Sequence, residues 1–179
     1  MPKEAFERRF AFINDETLKK NIAIAFEYIV FLIDTAANED HRKLIRSSLY
    51  KDATVYTGTV VEACLSQARV LSSLWKEESQ GVIYKISSKK RIRYVIEHSD
   101  YKKIRPSSDF IVINRACFKT RILTKKEFEL AEEIRTCRNK IHVTALAEID
   151  NSYSKETLDA VFDKARKIID KVEKKLGRL

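Results

Sequence analysis

Residues 123–128 read LTKKEF, that is Leu123, Thr124, Lys125, Lys126, Glu127 and Phe128. Thr124 and Glu127 stand three apart, the spacing at which an N-cap hydroxyl and an N3 carboxylate satisfy each other's helix-end amides. Leu123 and Phe128 take the flanking positions of an apolar staple. A helix therefore begins here, and the apolar repeat of Ala131, Ile134, Cys137 and Ile141 carries it to about Ala147. After a polar link, Ser154 opens a last helix bearing Leu158, Val161, Ala165, Ile168 and Val172, closed by Gly177.

Upstream, Pro106, Ser107 and Ser108 break the chain. Phe110, Ile113 and Cys117 then predict a short helix over about 109–121, while the β-branched Ile111, Val112 and Ile113 leave a strand open as the alternative. Before that break, Val82, Tyr84 and Ile86, then Ile92, Tyr94 and Ile96, alternate with polar or basic residues. Period two predicts a β-hairpin over about 82–97 with Lys85, Arg91 and Arg93 on one face, inside an insertion of about 79–106. Earlier still, Asn14 or Asp15 caps a helix that carries Leu18, Ile22, Phe26, Ile29 and Ile33 and ends near Asn38. A second long helix spans about 40–76, with Gly58 as a bend or close-packing point and Glu62 and Arg69 set among apolar residues. The fold class is mainly α: one domain over 1–179, a bundle of about four to five helices with a small basic β-hairpin inserted.

Composition agrees with this reading. A chain of 179 residues with 44% hydrophobic content can bury a single core, and three Gly and two Pro are too few for a turn-rich sandwich. Cys64, Cys117 and Cys137 form no CxxC pair and read as reduced, mostly core thiols. Neither a spaced metal-ligand cluster nor a Gly-rich phosphate loop is present in the sequence, so no metal and no cofactor is expected. The N-terminal run lacks the apolar segment of a signal peptide, and the longest apolar stretch, near Ile22 to Ile33, is interrupted by Glu27. A cytoplasmic protein without a membrane partner is expected.

The net charge of +9 favours an acidic partner. Between Ser79 and Thr124 eleven basic residues stand against three acidic ones, which places nearly the whole excess in and around the hairpin. Lys85, Lys89, Lys90, Arg91 and Arg93 are the candidate phosphate-binding set. The alternative is that they protect a hairpin edge from aggregation.

One stretch gathers the side chains of a reaction centre. Residues 133–142 read EIRTCRNKIH, and at about 100° per residue Arg135, Arg138 and His142 fall within an arc of roughly 60° beside Ile134, Cys137 and Ile141. Imidazole carries a proton near neutral pH, and guanidinium holds phosphate through a fixed fork of donors. A phosphodiester site uses both. In the other reading, Arg135 and Arg138 pair with Glu132 or with carboxylates on neighbouring helices, and His142 is a partly exposed residue late in a helix.

The run RNKIH at 138–142, preceded by AEEIRTC and by the capped start after RIL, resembles the signature helix of the HEPN superfamily; TVVEACL at 59–65 resembles its earlier core helix. The resemblance implies a helical bundle that pairs as a homodimer with two signature helices brought together. It also implies RNA as partner, metal-independent endoribonuclease chemistry, and a toxin-antitoxin or defence setting with an antitoxin or defence partner protein. Its noncatalytic members imply the alternative, a dimerisation, ligand-binding or nucleic-acid-binding module. Carried over, His142 acts as base on the ribose 2′-hydroxyl or as acid on the leaving oxygen, Arg138 stabilises the phosphorane charge, and Asn139 orients the site. The family pattern places four to six residues between Arg and His; three separate Arg138 from His142, and six separate Arg135 from it. The phosphate role is therefore open between Arg138 and Arg135. The tyrosine that follows the His in one toxin branch is absent here, with Thr144 in its place.

Overall fold

Asp15 accepts a hydrogen bond from the Leu18 backbone amide at 2.8 Å, and from this cap helix α2 runs over Glu16–Ala37. The computed structural model describes residues 3–13, 15–71, 82–86, 91–95, 109–119, 121–139 and 152–176. The remaining helices are α1 (Lys3–Arg9), α3 (Lys43–Leu71), α4 (Phe110–Lys119), α5 (Lys125–Asn139) and α6 (Lys155–Leu176). The fold is mainly α. Six helices among the described residues correct the expected four to five: α1 spans only seven residues, with little periodicity to announce it.

Helix α3 is the central element, packed against α2, α4, α5 and α6. Its apolar face meets theirs in one core that includes Phe10, Ile13, Val61, Leu65, Ile134 and Ile168, all with no more than 1% of their surface exposed. Each such side chain contributes about 1.5–3 kcal/mol of transfer free energy. A smaller cluster of Ile29, Leu32, Ala36, Tyr50, Ala53 and Leu158 fills the end where α2 hands the chain to α3. The buried hydroxyls of Thr54 and Thr57 donate to carbonyls one turn back at 2.9 and 2.7 Å, so α3 buries them without leaving a donor unsatisfied.

Segment 110–119 is a helix, and the strand alternative is excluded. Phe110, Ile113, Asn114, Ala116 and Cys117 share its buried side, and the period of 3.6 that this requires overrides the β-branched run. Arg121 takes a left-handed conformation with φ 59°, and the amides of Ile122 and Leu123 turn back to the Cys117 carbonyl at 2.9 and 3.1 Å. The chain is thereby aimed into the capping box. The Thr124 amide donates to the Glu127 carboxylate at 2.7 Å, and the Glu127 amide approaches the Thr124 hydroxyl at 3.5 Å. Ser154 and Thr157 make the corresponding box at the start of α6, with contacts of 2.6 and 3.3 Å.

Strands β1 (Val82–Ile86) and β2 (Arg91–Val95) pair antiparallel with Tyr84 opposite Arg93, Lys85 opposite Ile92 and Ile86 opposite Arg91. Arg9 pairs with Glu173 at 2.7 Å and with Asp170, joining the end of α1 to α6. No described helix is long and apolar enough to cross a membrane.

Candidate active site on helix α5

Gly58 decides where α5 lies on α3. A Cβ built at position 58 would sit 3.0 Å from the Arg138 Cβ and 3.4 Å from its Cδ, so the missing side chain is the space through which the Arg138 stem crosses α3. One turn along α3, on the same face, the Glu62 carboxylate meets the Arg138 guanidinium at 2.9 Å. The guanidinium carbon also stands 5.9 Å from the Phe110 ring centroid, at the outer limit of a cation–π contact. Three elements thus hold one arginine: Gly58 gives it room, Glu62 takes its charge and Phe110 borders its plane.

Glu62 is more than half-buried, with 19% of its side chain exposed against 31% for Arg138. Burial pushes its carboxyl above the ordinary value; Arg138 opposes that shift and Asp109 reinforces it. Arg138 therefore offsets part of the cost of placing this carboxylate in the helix seam.

Arg135 is held separately. Its Nε donates to one oxygen of Glu132 at 2.9 Å, while the other oxygen accepts a 2.8 Å bond from Asn114 Nδ2 on α4. Asn114 is fully buried, and its own amide oxygen has no partner among the described residues. Both arginines thus make the carboxylate pairs of the alternative reading: Arg135 with Glu132 on its own helix, Arg138 with Glu62 on a neighbour. Asn139 is exposed at the last residue of α5. His142, the predicted proton carrier, lies outside the described residues, as do Lys89 and Lys90. Lys85, Arg91 and Arg93 are placed by backbone register alone.

Among the described residues, the apolar side of α5 beside these arginines faces the core. Ala131 and Ile134 are 0% and 1% exposed within the core, and Cys137 is half-buried. These residues of the stripe serve the chain's own bundle; Ile141 lies outside the described residues. Gly58 is the close-packing point that the sequence offers, and Glu62 and Asn114 are the contributors that sequence reading leaves unassigned to the site. The signals are an acidic residue within the TVVEACL stripe, a glycine one turn before it, and an Asn between buried Ile113 and Ala116.

No group of three or more His, Cys, Asp or Glu among the described residues could hold a metal ion. Comparison with family models, with curated proteins and with solved structures found no match.

Proposed function

We propose that this chain is an HEPN-like helical protein that acts on RNA, with metal-independent endoribonuclease activity in a toxin-antitoxin or defence setting as its specific form. The observation that carries the reading is the placement of Arg138: its stem crosses Gly58 and its guanidinium is oriented by Glu62, four positions before His142 in the sequence. In this reading His142 takes the ribose 2′-hydroxyl proton or returns a proton to the leaving 5′-oxygen. The 2′-oxygen bonds to phosphorus, the P–O5′ bond breaks, and Arg138 or Arg135 stabilises the charge that builds on the phosphorane oxygens. Asn139 stands beside Arg138 to orient the phosphate. Lys85, Lys89, Lys90, Arg91 and Arg93 of the inserted hairpin supply sequence-tolerant contacts to the RNA backbone.

The alternative is a noncatalytic dimerisation or nucleic-acid-binding module of the same class, and one observation favours it. Arg135 and Arg138 are both engaged by carboxylates, so phosphate must displace Glu132 or Glu62 to reach them. The two readings separate on RNA incubated with purified protein in excess EDTA. Wild type is expected to leave 2′,3′-cyclic phosphate ends, and His142→Ala to lose about 10²- to 10⁴-fold in rate. Arg138→Ala is expected to cost more than Arg135→Ala; the reverse order assigns the phosphate role to the longer spacing. A wild type inert on a broad RNA panel refutes the catalytic form. Binding that weakens steeply with salt and fails when the five hairpin cations are neutralised then supports the module.

A further inference from the structure

Helix α2 carries two stripes, and the bundle uses only one. Ile22, Ile29, Leu32 and Ala36 face the core. Lys20, Ile24, Glu27, Phe31 and Asp34 recur at alternating spacings of four and three, fall within an arc of about 80°, and are all exposed. That alternation is the 3.5-residue repeat of a helix that packs along a second helix. Ile24 is 63% exposed and Phe31 59%. Tyr28 borders the stripe, stacked on Phe31 with centroids 6.1 Å apart and edge-on to Tyr56 of α3 at 4.7 Å; the two tyrosines are 38% and 39% exposed.

We infer that a second copy of this chain covers this stripe, with the two α2 helices antiparallel about a two-fold axis at Glu27 and Tyr28. The charge pattern selects the occupant, because opposite charges end the stripe: Lys20 toward the N-terminus and Asp34 toward the C-terminus. The axis brings Ile24 beside Phe31 of the second copy and Lys20 beside Asp34 of the second copy, and repeats both contacts on the other side. A parallel pairing sets Lys20 against Lys20 and Asp34 against Asp34. At full side-chain areas of about 150–250 Å² for an aromatic, the four apolar side chains present roughly 400 Å² per copy. That is about half of what one partner contributes to a standard interface, and with its polar rim it suits a reversible dimer in the micromolar range. Glu27 and its copy meet near the axis, the one like-charge contact in the arrangement. The inference stands on the α2 surface and is independent of the RNA reading; a protein inert toward RNA still pairs through this face.

Sedimentation equilibrium of the full chain from about 1 to 500 μM tests it. The wild type is expected to dimerise. Ile24→Glu and Phe31→Glu should each raise Kd about tenfold or more without changing the circular dichroism, since both side chains are already largely exposed. Lys20→Glu and Asp34→Lys should each weaken the dimer by about three- to tenfold, and the double variant should return to within about threefold of wild type. Glu27→Gln should tighten it. A wild type that stays monomeric over the whole range overturns the inference, as does a dimer indifferent to Ile24→Glu and Phe31→Glu. A double charge swap that fails to rescue overturns the antiparallel register.

Discussion

Removing the Arg138 charge while keeping its stem should produce a stability loss whose size depends on pH in a direction the structure fixes. Arg138→Met preserves the chain that crosses Gly58 and deletes the partner of Glu62. With the two side chains 31% and 19% exposed, the pair lies between a surface ion pair, worth about 0–1 kcal/mol, and a buried one, whose rupture costs about 3–5 kcal/mol. Discounting for solvent at the guanidinium, the coupling should be about 1–2 kcal/mol at neutral pH. Burial raises the Glu62 carboxyl above its ordinary value of 4.5, with Arg138 opposing and Asp109 assisting. The folded state therefore keeps this proton to a higher pH than the unfolded chain. The stability that Glu62 contributes through its own titration is full below 4.5 and is lost as pH rises through its folded value. The coupling to Arg138 runs the other way, since it exists only where Glu62 is ionised. Urea unfolding of wild type, Glu62→Gln, Arg138→Met and the double variant, at about pH 7.5 and about pH 4, gives the coupling at each pH. Under about 0.3 kcal/mol at neutral pH, or growth of the coupling on acidification, refutes the reasoning.

Four more outcomes follow from the packing. Gly58→Ala should return less than the ~1 kcal/mol that Ala gains over Gly in a helix, because the new Cβ meets Arg138 at 3.0 Å, and Gly58→Leu should destabilise by about 2 kcal/mol or more in the same unfolding assay. Thr124→Ala should cost about 1 kcal/mol near neutral pH. Burial pushes the Glu127 carboxyl up, but bonds from Thr124 and the Lys171 charge outweigh it and leave the value lowered; this contribution is present above 4.5 and lost as pH falls through the folded value, so the Thr124→Ala penalty should shrink in acid melts. A thiol reagent should label Cys137 in the native protein and spare Cys64 and Cys117, whose thiols burial pushes up to about 12, with all three reacting in denaturant; native labelling of Cys64 refutes its placement. Phe10→Ala should cost about 3–5 kcal/mol in a urea melt, since the ring is fully buried although it follows a helix of only seven residues.

The long helices are legible because their boundaries are written in local chemistry. Asp15, Thr124 with Glu127, and Ser154 each answer amides within three residues, so cap and helix are read together. Tertiary chemistry is less local. Glu62 stands out among its apolar neighbours, yet nothing near it in sequence names Arg138, which lies 76 positions on and meets it only because Gly58 admits its stem. Asn114 likewise looks like a polar slip in an apolar helix until Glu132 is placed opposite it. Helical spacing sets Arg135 and Arg138 on one side of α5, whereas the carboxylates that engage them are known only from the packing.

The clasp between Arg9 and the acidic pair Asp170 and Glu173 joins residues more than 160 positions apart, and that separation orders events during translation. Helix α1 is made about 160 residues before the carboxylates that hold it. Until α6 emerges, α1 lacks the ionic anchor at Arg9, although Phe6 and Phe10 can already rest on Phe26 of α2. A nascent chain halted before Asp170 therefore holds the aromatic, basic segment from Phe6 to Phe10 without its ionic clasp. Synthesis of α6 supplies that anchor, so the ionic clasp on α1 closes only after Asp170 and Glu173 have been made.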